Sequence, residues 1–230
     1  MPTNRPTTRP EPSASVGVLL SGGLDSAILL FELARRGQQV VPFYVRTGCV
    51  WQDCELSAVR QLLGALPQEN LSRLVLLDMP VADLYDGHWS LSGQAVPDYT
   101  TPDEAVYLPG RNPLLLLKPA LWCRMHGVSQ LAIATLSNNP FDDARPSFFQ
   151  SFEKMLLEAT GGSVQIVRPF EHLAKRSVVD LGSDMPLELT FSCLAPVDGL
   201  HCGRCNKCAE RRAALGQLET GDPTLYAEES

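Results

Sequence analysis

The sequence has 230 residues, 44% of them hydrophobic, which fits one globular domain with a sizeable core, or one domain with a small appendage. Its formal net charge of −7 argues against non-specific nucleic-acid binding, which depends on clustered Lys and Arg. No apolar run approaches the roughly 20 residues of a membrane span. Seven cysteines without a secretory signal predict a reducing compartment, the cytoplasm, in which thiols are free or metal-bound.

The N-terminal part of the chain divides into a polar tail and a strand–turn–helix unit. Residues 1–15 are rich in Pro, Thr and Arg and lack an apolar core, so we expect a disordered tail rather than a signal sequence. Residues 16–20 are apolar and predict a buried strand, and a helical pattern follows from 25 to 36. Ser21-Gly22-Gly23 lies between them and predicts a tight turn whose backbone N–H groups approach a ligand closely.

This turn has the chemistry of an anion site. The helix that follows it contributes the positive end of its dipole, which favours a phosphate. Asp25 and Ser26 fall in the first helical turn, where a carboxylate and a hydroxyl either hold Mg²⁺ or cap the helix. The alternative is an ordinary capped turn in which the small residues serve packing.

The rest of the chain alternates strands with helices. Gly37 ends the first helix, and we expect further strands at residues 38–45, 74–77, 130–135 and 164–167. We expect helices at residues 52–63, closed by Gly64, and at 111–127, 147–159 and 172–181, the last ended by Gly182. Residues 86–107 show no periodicity and predict a long loop of the kind found at active sites.

This alternation predicts an α/β fold with a doubly wound, mainly parallel sheet. Ligands of such sheets bind at the carboxyl ends of the strands. Ser21, Arg46 and Leu136 would all emerge there.

Four cysteines near the C-terminus have metal-ligand spacing. They are Cys193, Cys202, Cys205 and Cys208, in the order C-x8-C-x2-C-x2-C. Two intervening residues let one turn present two thiolates to a tetrahedral metal, so we predict a structural Zn²⁺ site over residues 191–218, followed by a polar tail over 219–230. The alternatives are a redox dithiol, free thiols or an iron–sulfur cluster. His201 is a further candidate ligand that the complete cysteine set makes unnecessary.

The string SGGLDS at residues 21–26 resembles the SGGxDS signature of the PP-loop ATP pyrophosphatases. These enzymes cleave ATP to AMP and pyrophosphate and adenylate a substrate. The Walker A pattern does not occur in the sequence. The resemblance implies a PP-loop ATP-binding domain of the adenine nucleotide alpha hydrolase type over residues 16–190.

With the cysteine motif added, the chain resembles the 7-cyano-7-deazaguanine synthase family, of the QueC or ExsB type, over roughly residues 16–215. The further segments that carry the resemblance are VPDY at 96–99, LPGRN at 108–112 and the stretch from Arg168-Pro169-Phe170 to Lys175. The resemblance implies a queuosine-biosynthesis ligase that uses ATP and ammonia to convert 7-carboxy-7-deazaguanine into the nitrile. It also implies a small-molecule substrate, a homodimer, and neither membrane nor nucleic acid as a direct partner.

The resemblance further implies roles for particular residues. Residues 21–26 hold the pyrophosphate, and Asp25 holds Mg²⁺. Arg111 or Lys175 neutralises phosphate charge or anchors the substrate carboxylate; the alternatives are a salt bridge at a helix start and a solvated face. The catalytic candidates are therefore Asp25, Ser26, Arg111 and Lys175. The residues expected to bind ATP are Leu20, Ser21, Gly22, Gly23, Leu24, Asp25, Ser26, Ala27, Ile28, Leu29 and Leu30.

The sequence departs from the family pattern in two places. Residues 44–51 replace a Tyr-Gly-Gln segment, and residues 136–145 replace a longer acidic, glycine-containing one. Trp51 and Phe141 either stack on a substrate ring or pack in the core. Three acidic residues either recognise a guanine-like edge or cap helices: Asp98, Asp142 and Asp143. The alternative functions are adenylation of a different carboxylate and, in another class, an RNA-thiolation factor or zinc-stabilised binding module.

Overall fold

The structure is a computed structural model that describes residues 15–137 and 139–227. The tail predicted over residues 1–15 lies outside the described residues except for Ser15. The strands are β1 (Val16–Leu19), β2 (Val40–Arg46), β3 (Val75–Asp78), β4 (Gln130–Ala132) and β5 (Gln165–Val167). The α-helices are α1 (Leu24–Arg35), α2 (Gln52–Ala65), α3 (Trp89–Ser92), α4 (Arg111–Met125), α5 (Pro146–Thr160), α6 (Lys175–Leu181) and α7 (Asn206–Leu215).

The five strands form one sheet in the order β3-β2-β1-β4-β5, and every pairing is parallel. Val16 at the start of β1 is paired with Val40 of β2 on one side and with Gln130 of β4 on the other. The chain therefore winds outward from β1 in both directions, which confirms the doubly wound fold. The crevice between β1 and β4, where the strand order reverses, is the place where such sheets bind ligands.

Helices cover both faces of the sheet because successive side chains of a strand point to opposite faces. On one face, Val16 and Val18 pack with α1, α2, α6 and α7. On the other face, Leu19 packs with α4 and α5. A third apolar cluster joins the four C-terminal cysteines to Trp51.

Several predicted boundaries were wrong: α4 ends at Met125 rather than at residue 127, and β4 ends at Ala132 rather than at residue 135. Two further helix boundaries differ for a clear local reason. Helix α2 continues through Gly64 to Ala65 and ends because Pro67 restricts Leu66 to an extended conformation. Helix α6 begins at Lys175 rather than at residue 172, because the preceding residues form hydrogen-bonded turns, such as that from the Leu173 N–H to the Phe170 carbonyl. The predicted loop over residues 86–107 contains the one-turn helix α3 and a 3₁₀ helix over Asp103–Val106.

The predicted polar tail is packed as far as the structure describes it, to residue 227. The Ala227 N–H donates to the His201 carbonyl at 2.8 Å, and the Arg212 guanidinium lies 3.7 Å from the centroid of the Tyr226 ring. The Tyr226 hydroxyl donates to Asp222 at 2.6 Å. These contacts fold the segment onto the cysteine-rich region. No helix within the described residues combines the length and the apolar character needed to cross a membrane.

Candidate active site and cysteine cluster

The loop between β1 and α1 depends on the conformation of one glycine. Gly22 has φ +84°, a region that side chains rarely adopt, and a Cβ there would lie 3.0 Å from Cγ2 of Val59. The Gly22 carbonyl accepts a hydrogen bond from the Phe191 N–H at 2.7 Å. The loop is thus tied to the segment that leads into the cysteines.

Two serines order the loop from within. The Ser26 hydroxyl donates to the Gly23 carbonyl at 3.1 Å and accepts from the Ser21 N–H at 3.2 Å. Ser26 is buried, so the structure gives its hydroxyl a role in holding the loop. Gly23 has no side chain to cap α1, and first-turn N–H groups have no partner within a helix, so among the described residues they remain available to an anion.

A row of alternating charges crosses from the loop to the cysteine-rich segment. Lys175 Nζ lies 2.9 Å from Oδ2 of Asp25 and 2.7 Å from Oε1 of Glu210. The other oxygen of Glu210 lies 2.6 Å from Nζ of Lys207, which stands between two of the cysteines. Burial alone would lower the pKa of Lys175, but the two carboxylates outweigh it and raise that pKa. Lys175 is therefore a cation held at the loop, not on a solvated face.

A cavity of about 310 Å³ opens at the carboxyl ends of β1, β2 and β4. Three buried oxygens on its wall have no hydrogen-bond partner among the described residues: Asp25 Oδ1, Thr135 Oγ1 and Ser192 Oγ. Buried polar atoms in folded proteins are normally satisfied. Their position indicates that a polar ligand completes the site.

The cavity lining also includes a second polar group. The Tyr44 hydroxyl lies 2.9 Å from Oε2 of Glu55, and both residues line the cavity with Arg111. Burial raises the pKa of Glu55 to about 7, although the charge of Arg111 and the hydrogen bonds from Tyr44 and Trp51 oppose the rise. A carboxyl group that titrates near neutral pH therefore faces the cavity.

The four catalytic candidates, Asp25, Ser26, Arg111 and Lys175, all line this one cavity. Of the eleven residues predicted to bind ATP, six line it and Gly22 provides the turn. The remaining four, Ala27, Ile28, Leu29 and Leu30, do not line it, because their side chains are wholly buried in the core. These four consecutive residues of α1 pack in the core that surrounds the helix, and the assignment of ATP contacts stays a prediction.

The structure assigns packing or capping contacts to the residues left open between two roles. Trp51 stacks on Trp89 at 5.7 Å, and Phe141 stacks on Tyr107 at 4.9 Å. Asp143 caps α4, since its Oδ2 accepts from the Asn112 N–H at 3.0 Å.

The other two acids also have partners within the chain. Asp142 pairs with Arg145 at 2.7 Å, and Asp98 accepts from the backbone N–H of Thr100 at 2.8 Å. Trp51 alone of these five residues also lines the cavity.

The four predicted metal ligands form one buried cluster. The sulfur atoms of Cys193, Cys202, Cys205 and Cys208 all lie within 4.8 Å of one another. Two of the pairs, Cys193 with Cys205 and Cys202 with Cys208, are 3.9 Å apart. A tetrahedral metal with metal–sulfur bonds of about 2.3 Å requires sulfur atoms about 3.8 Å apart, so the cluster fits such a centre. His201 lies outside the cluster, and its Nε2 accepts from the Ser192 N–H at 3.3 Å.

Comparison with known proteins supports one family. The model of a family described as "Queuosine biosynthesis protein QueC" matches residues 15–219. The chain belongs to this family. A QueC-family relative from Solidesulfovibrio magneticus, named 7-cyano-7-deazaguanine synthase, is 31% identical over 232 residues, covering 91% of this chain and 94% of its own. One of the same name from Thiobacillus denitrificans is 32% identical over 224 residues, covering 91% and 97%.

These matches confirm the family resemblance seen in the sequence motifs. Among solved structures, a predicted subunit of a tRNA methyltransferase from Methanocaldococcus jannaschii covers 74% of this chain and 75% of its own, with 18% identity and a TM-score of 0.47. That similarity is too low to carry an argument. The QueC family match spans the glycine loop, the cavity and all four cysteines.

Sequence reasoning missed several cavity residues of this QueC-family chain. Tyr44 lies near the end of β2, Thr135 follows the end of β4, and Glu55 occupies the amphipathic helix α2. Lys207 stands within the cysteine motif, and Glu210 follows its last cysteine by two residues. Position at a strand end was the available signal for Tyr44 and Thr135, whereas the helical residues reach the cavity through the tertiary fold.

Proposed function

We propose that this chain is a 7-cyano-7-deazaguanine synthase: an ATP-dependent C–N ligase that activates 7-carboxy-7-deazaguanine and joins it to ammonia. The family assignment supports the substrate, and the cavity supports the chemistry. The observation that carries the proposal is the loop at residues 21–26, whose free first-turn N–H groups and flanking Lys175 match the phosphates of ATP.

The unpartnered oxygen of Asp25 fits a divalent cation. Oδ2 is paired with Lys175, whereas Oδ1 is buried without a partner among the described residues. Mg²⁺ prefers carboxylate and phosphate oxygens as ligands. We assign Asp25 Oδ1 as a ligand for Mg²⁺, which would neutralise charge on the pyrophosphate that leaves.

Arg111 is the residue best placed to receive the substrate carboxylate. It lines the cavity at the start of α4 and has no ion-pair partner within 4.0 Å among the described residues. A guanidinium matches a carboxylate with two parallel hydrogen bonds. The N–H of the next residue, Asn112, is already taken by Asp143, so the side chain of Arg111 rather than the helix end would bind the acid.

The reaction then needs positioning more than covalent help from the protein. A substrate carboxylate oxygen attacks the α-phosphorus of ATP, pyrophosphate leaves, and the acyl-adenylate forms. Ammonia displaces AMP to give the amide. A second activation of the amide oxygen, followed by its loss with AMP, gives the nitrile. Lys175 and the loop N–H groups stabilise negative charge on the phosphates at each activation.

We further propose that the metal bound by the four cysteines is Zn²⁺ and that its role is structural. A complete set of four thiolates leaves no open position for substrate chemistry. The last of the four cysteines, Cys208, lies in the first turn of α7, and the same helix carries Glu210 to the cavity. Metal binding would thus support the active site through Lys207 and Glu210. A homodimer and a cytoplasmic location complete the proposal.

The test is pyrophosphate release from ATP and Mg²⁺ with ammonium, with and without 7-carboxy-7-deazaguanine, followed by product mass. We expect stimulated release and the mass of the nitrile. Asp25→Ala should abolish release without unfolding the chain, whereas Asp184→Ala, an exposed acid on the surface, should leave it intact. Release stimulated by a different carboxylate but not by this one would contradict the proposed substrate while keeping the adenylation chemistry.

A further inference from the structure

Glu55 differs from the other acids that line the cavity. Asp25 and Glu210 are both paired with Lys175, whereas Glu55 has no cation within 4.0 Å among the described residues. Its hydrogen-bonding neighbours are Tyr44, at 2.9 Å, and Trp51. Glu55 is therefore a partly buried carboxylate whose charge is not balanced by an adjacent cation.

The surroundings of Glu55 suit a small cation. Trp51 and Tyr44 line the cavity next to it, and both are buried aromatic side chains. Both side chains donate hydrogen bonds to the Glu55 carboxyl group, which fixes its position, and an ammonium ion would balance the negative charge that no adjacent cation balances. Trp51 is held in place by its stacking on Trp89.

The location also suits a reactant. Helix α2 abuts the glycine loop, since the backbone oxygen of Glu55 would lie 3.4 Å from a Cβ at Gly22. Arg111 lines the same cavity and acts electrostatically on Glu55. A carboxylate anchored by Arg111 and adenylated at the loop would place its carbonyl carbon near Glu55.

We propose that Glu55, Tyr44 and Trp51 form the subsite for the ammonium ion and that the Glu55 carboxylate takes its proton. This inference rests on the proposed function, because it concerns the nitrogen donor of that reaction. At neutral pH most ammonia is protonated to ammonium, which has no lone pair for attack. A base inside the cavity would therefore release the nucleophile where it is needed.

The protons and electron pairs of the step balance. Glu55 takes one proton from NH₄⁺, and the freed nitrogen lone pair forms the C–N bond to the acyl carbon. The bond from that carbon to the AMP oxygen breaks, and AMP leaves with the electron pair. The second nitrogen proton passes to water, which leaves the neutral amide, AMP and a protonated Glu55. The pKa of Glu55, raised by burial to about 7, is suited to this exchange near neutral pH.

The experiment compares two nucleophiles on wild type, Glu55→Gln and the control Asp53→Asn. Hydroxylamine is largely neutral near pH 7 and traps an acyl-adenylate as a hydroxamate without needing a base. Gln keeps the acceptor for Tyr44, and Asp53 is an exposed acid on the same helix. We expect E55Q to lower amide formation from ammonium by roughly 100-fold and to change hydroxamate formation by less than about threefold. D53N should change neither.

The outcomes separate this inference from the proposed function. Equal loss with both nucleophiles would show that Glu55 only maintains the site, and no loss with ammonium would show that it has no part in the step; either result overturns the subsite. Failure of the wild type to form the hydroxamate of 7-carboxy-7-deazaguanine would instead overturn the proposed function, and the subsite with it. Selective loss with ammonium, accompanied by a higher KM for ammonium, supports both.

Discussion

Lys175 Nζ contacts Oδ2 of Asp25 at 2.9 Å, although 150 positions separate the two residues in the chain. Asp25 follows β1, whereas Lys175 is the first residue of α6. The other oxygen of Asp25 has no hydrogen-bond partner in the part of the chain that the structure describes, so it can bind a cation. Lys175 therefore sets the charge of the loop to which the phosphates of ATP are proposed to bind.

Removing the Lys175 cation should impair ATP chemistry. In Lys175→Met, Asp25 and Glu210 lose their common partner, and the developing phosphate charge is no longer neutralised. We expect pyrophosphate release to fall by roughly 100-fold or more and the free energy of unfolding to fall by about 1–3 kcal/mol. Stopped-time pyrophosphate assays and urea unfolding measure the two effects. The matched control is Lys154→Met, because the Lys154 side chain is 77% exposed. Equal rates of pyrophosphate release in K175M and K154M would contradict the role of Lys175.

Loss of the cysteine-bound metal should weaken the active site through α7. Chelation, or Cys205→Ser, should loosen the C-terminal segment because metal binding there contributes folding free energy. We expect a lower thermal midpoint, faster hydrogen exchange around Glu210, and a higher KM for ATP. Cys54→Ser changes a cysteine outside the cluster and serves as the control. Complete metal removal that left both the midpoint and ATP turnover unchanged would contradict the structural assignment.

Asp143 should stabilise the fold without selecting the substrate. Asp143→Ala removes the acceptor for the Asn112 N–H at the start of α4, a loss expected to cost about 1 kcal/mol and a few degrees of Tm. Asp142→Ala breaks a surface ion pair and should cost less than about 0.5 kcal/mol. Calorimetry compares the two variants. A changed preference among carboxylates in D143A, with Tm unchanged, would instead place Asp143 at the substrate.

The carboxyl of Glu55 should make stability depend on pH. Its pKa is raised from 4.5 to about 7 in the folded state by burial, despite the opposing Arg111, Tyr44 and Trp51, and it lies near the Cys49 thiol. The folded protein then holds this proton more tightly than the unfolded chain does. This tighter proton binding adds to the free energy of unfolding below about pH 4.5. The added stability, up to about 3 kcal/mol in total, is lost as the pH rises to about 7.

Urea unfolding at several pH values tests this linkage. The stability of the wild type relative to Glu55→Gln should fall as pH rises through that window and stay constant above it, because Gln has no proton to lose. If the difference in unfolding free energy between wild type and Glu55→Gln did not vary with pH, the raised pKa would be contradicted. A difference that increased with pH would show that its direction is reversed.

Local sequence patterns predicted the elements that depend on local chemistry. The sheet winding followed from apolar runs alternating with helical patterns, and the loop at residues 21–26 followed from two glycines between a strand and a helix. The helix ends were less predictable. Gly64 did not end α2, because a glycine without a need for positive φ can remain helical until Pro67 forces the change.

The sequence by itself determined the parallel α/β fold, the glycine loop, the cysteine set and the family, because each depends on residues close in the chain or on motif order. The tertiary structure decided which residues share the cavity. Lys175 contacts both Asp25 and Glu210, and Glu55 and Arg111 line the same cavity, because helices far apart in sequence pack against the same sheet end. Periodicity shows which face of a helix is buried, but not which partner that face will meet. Charge pairing across α1, α6 and α7 is therefore a property of the assembled fold.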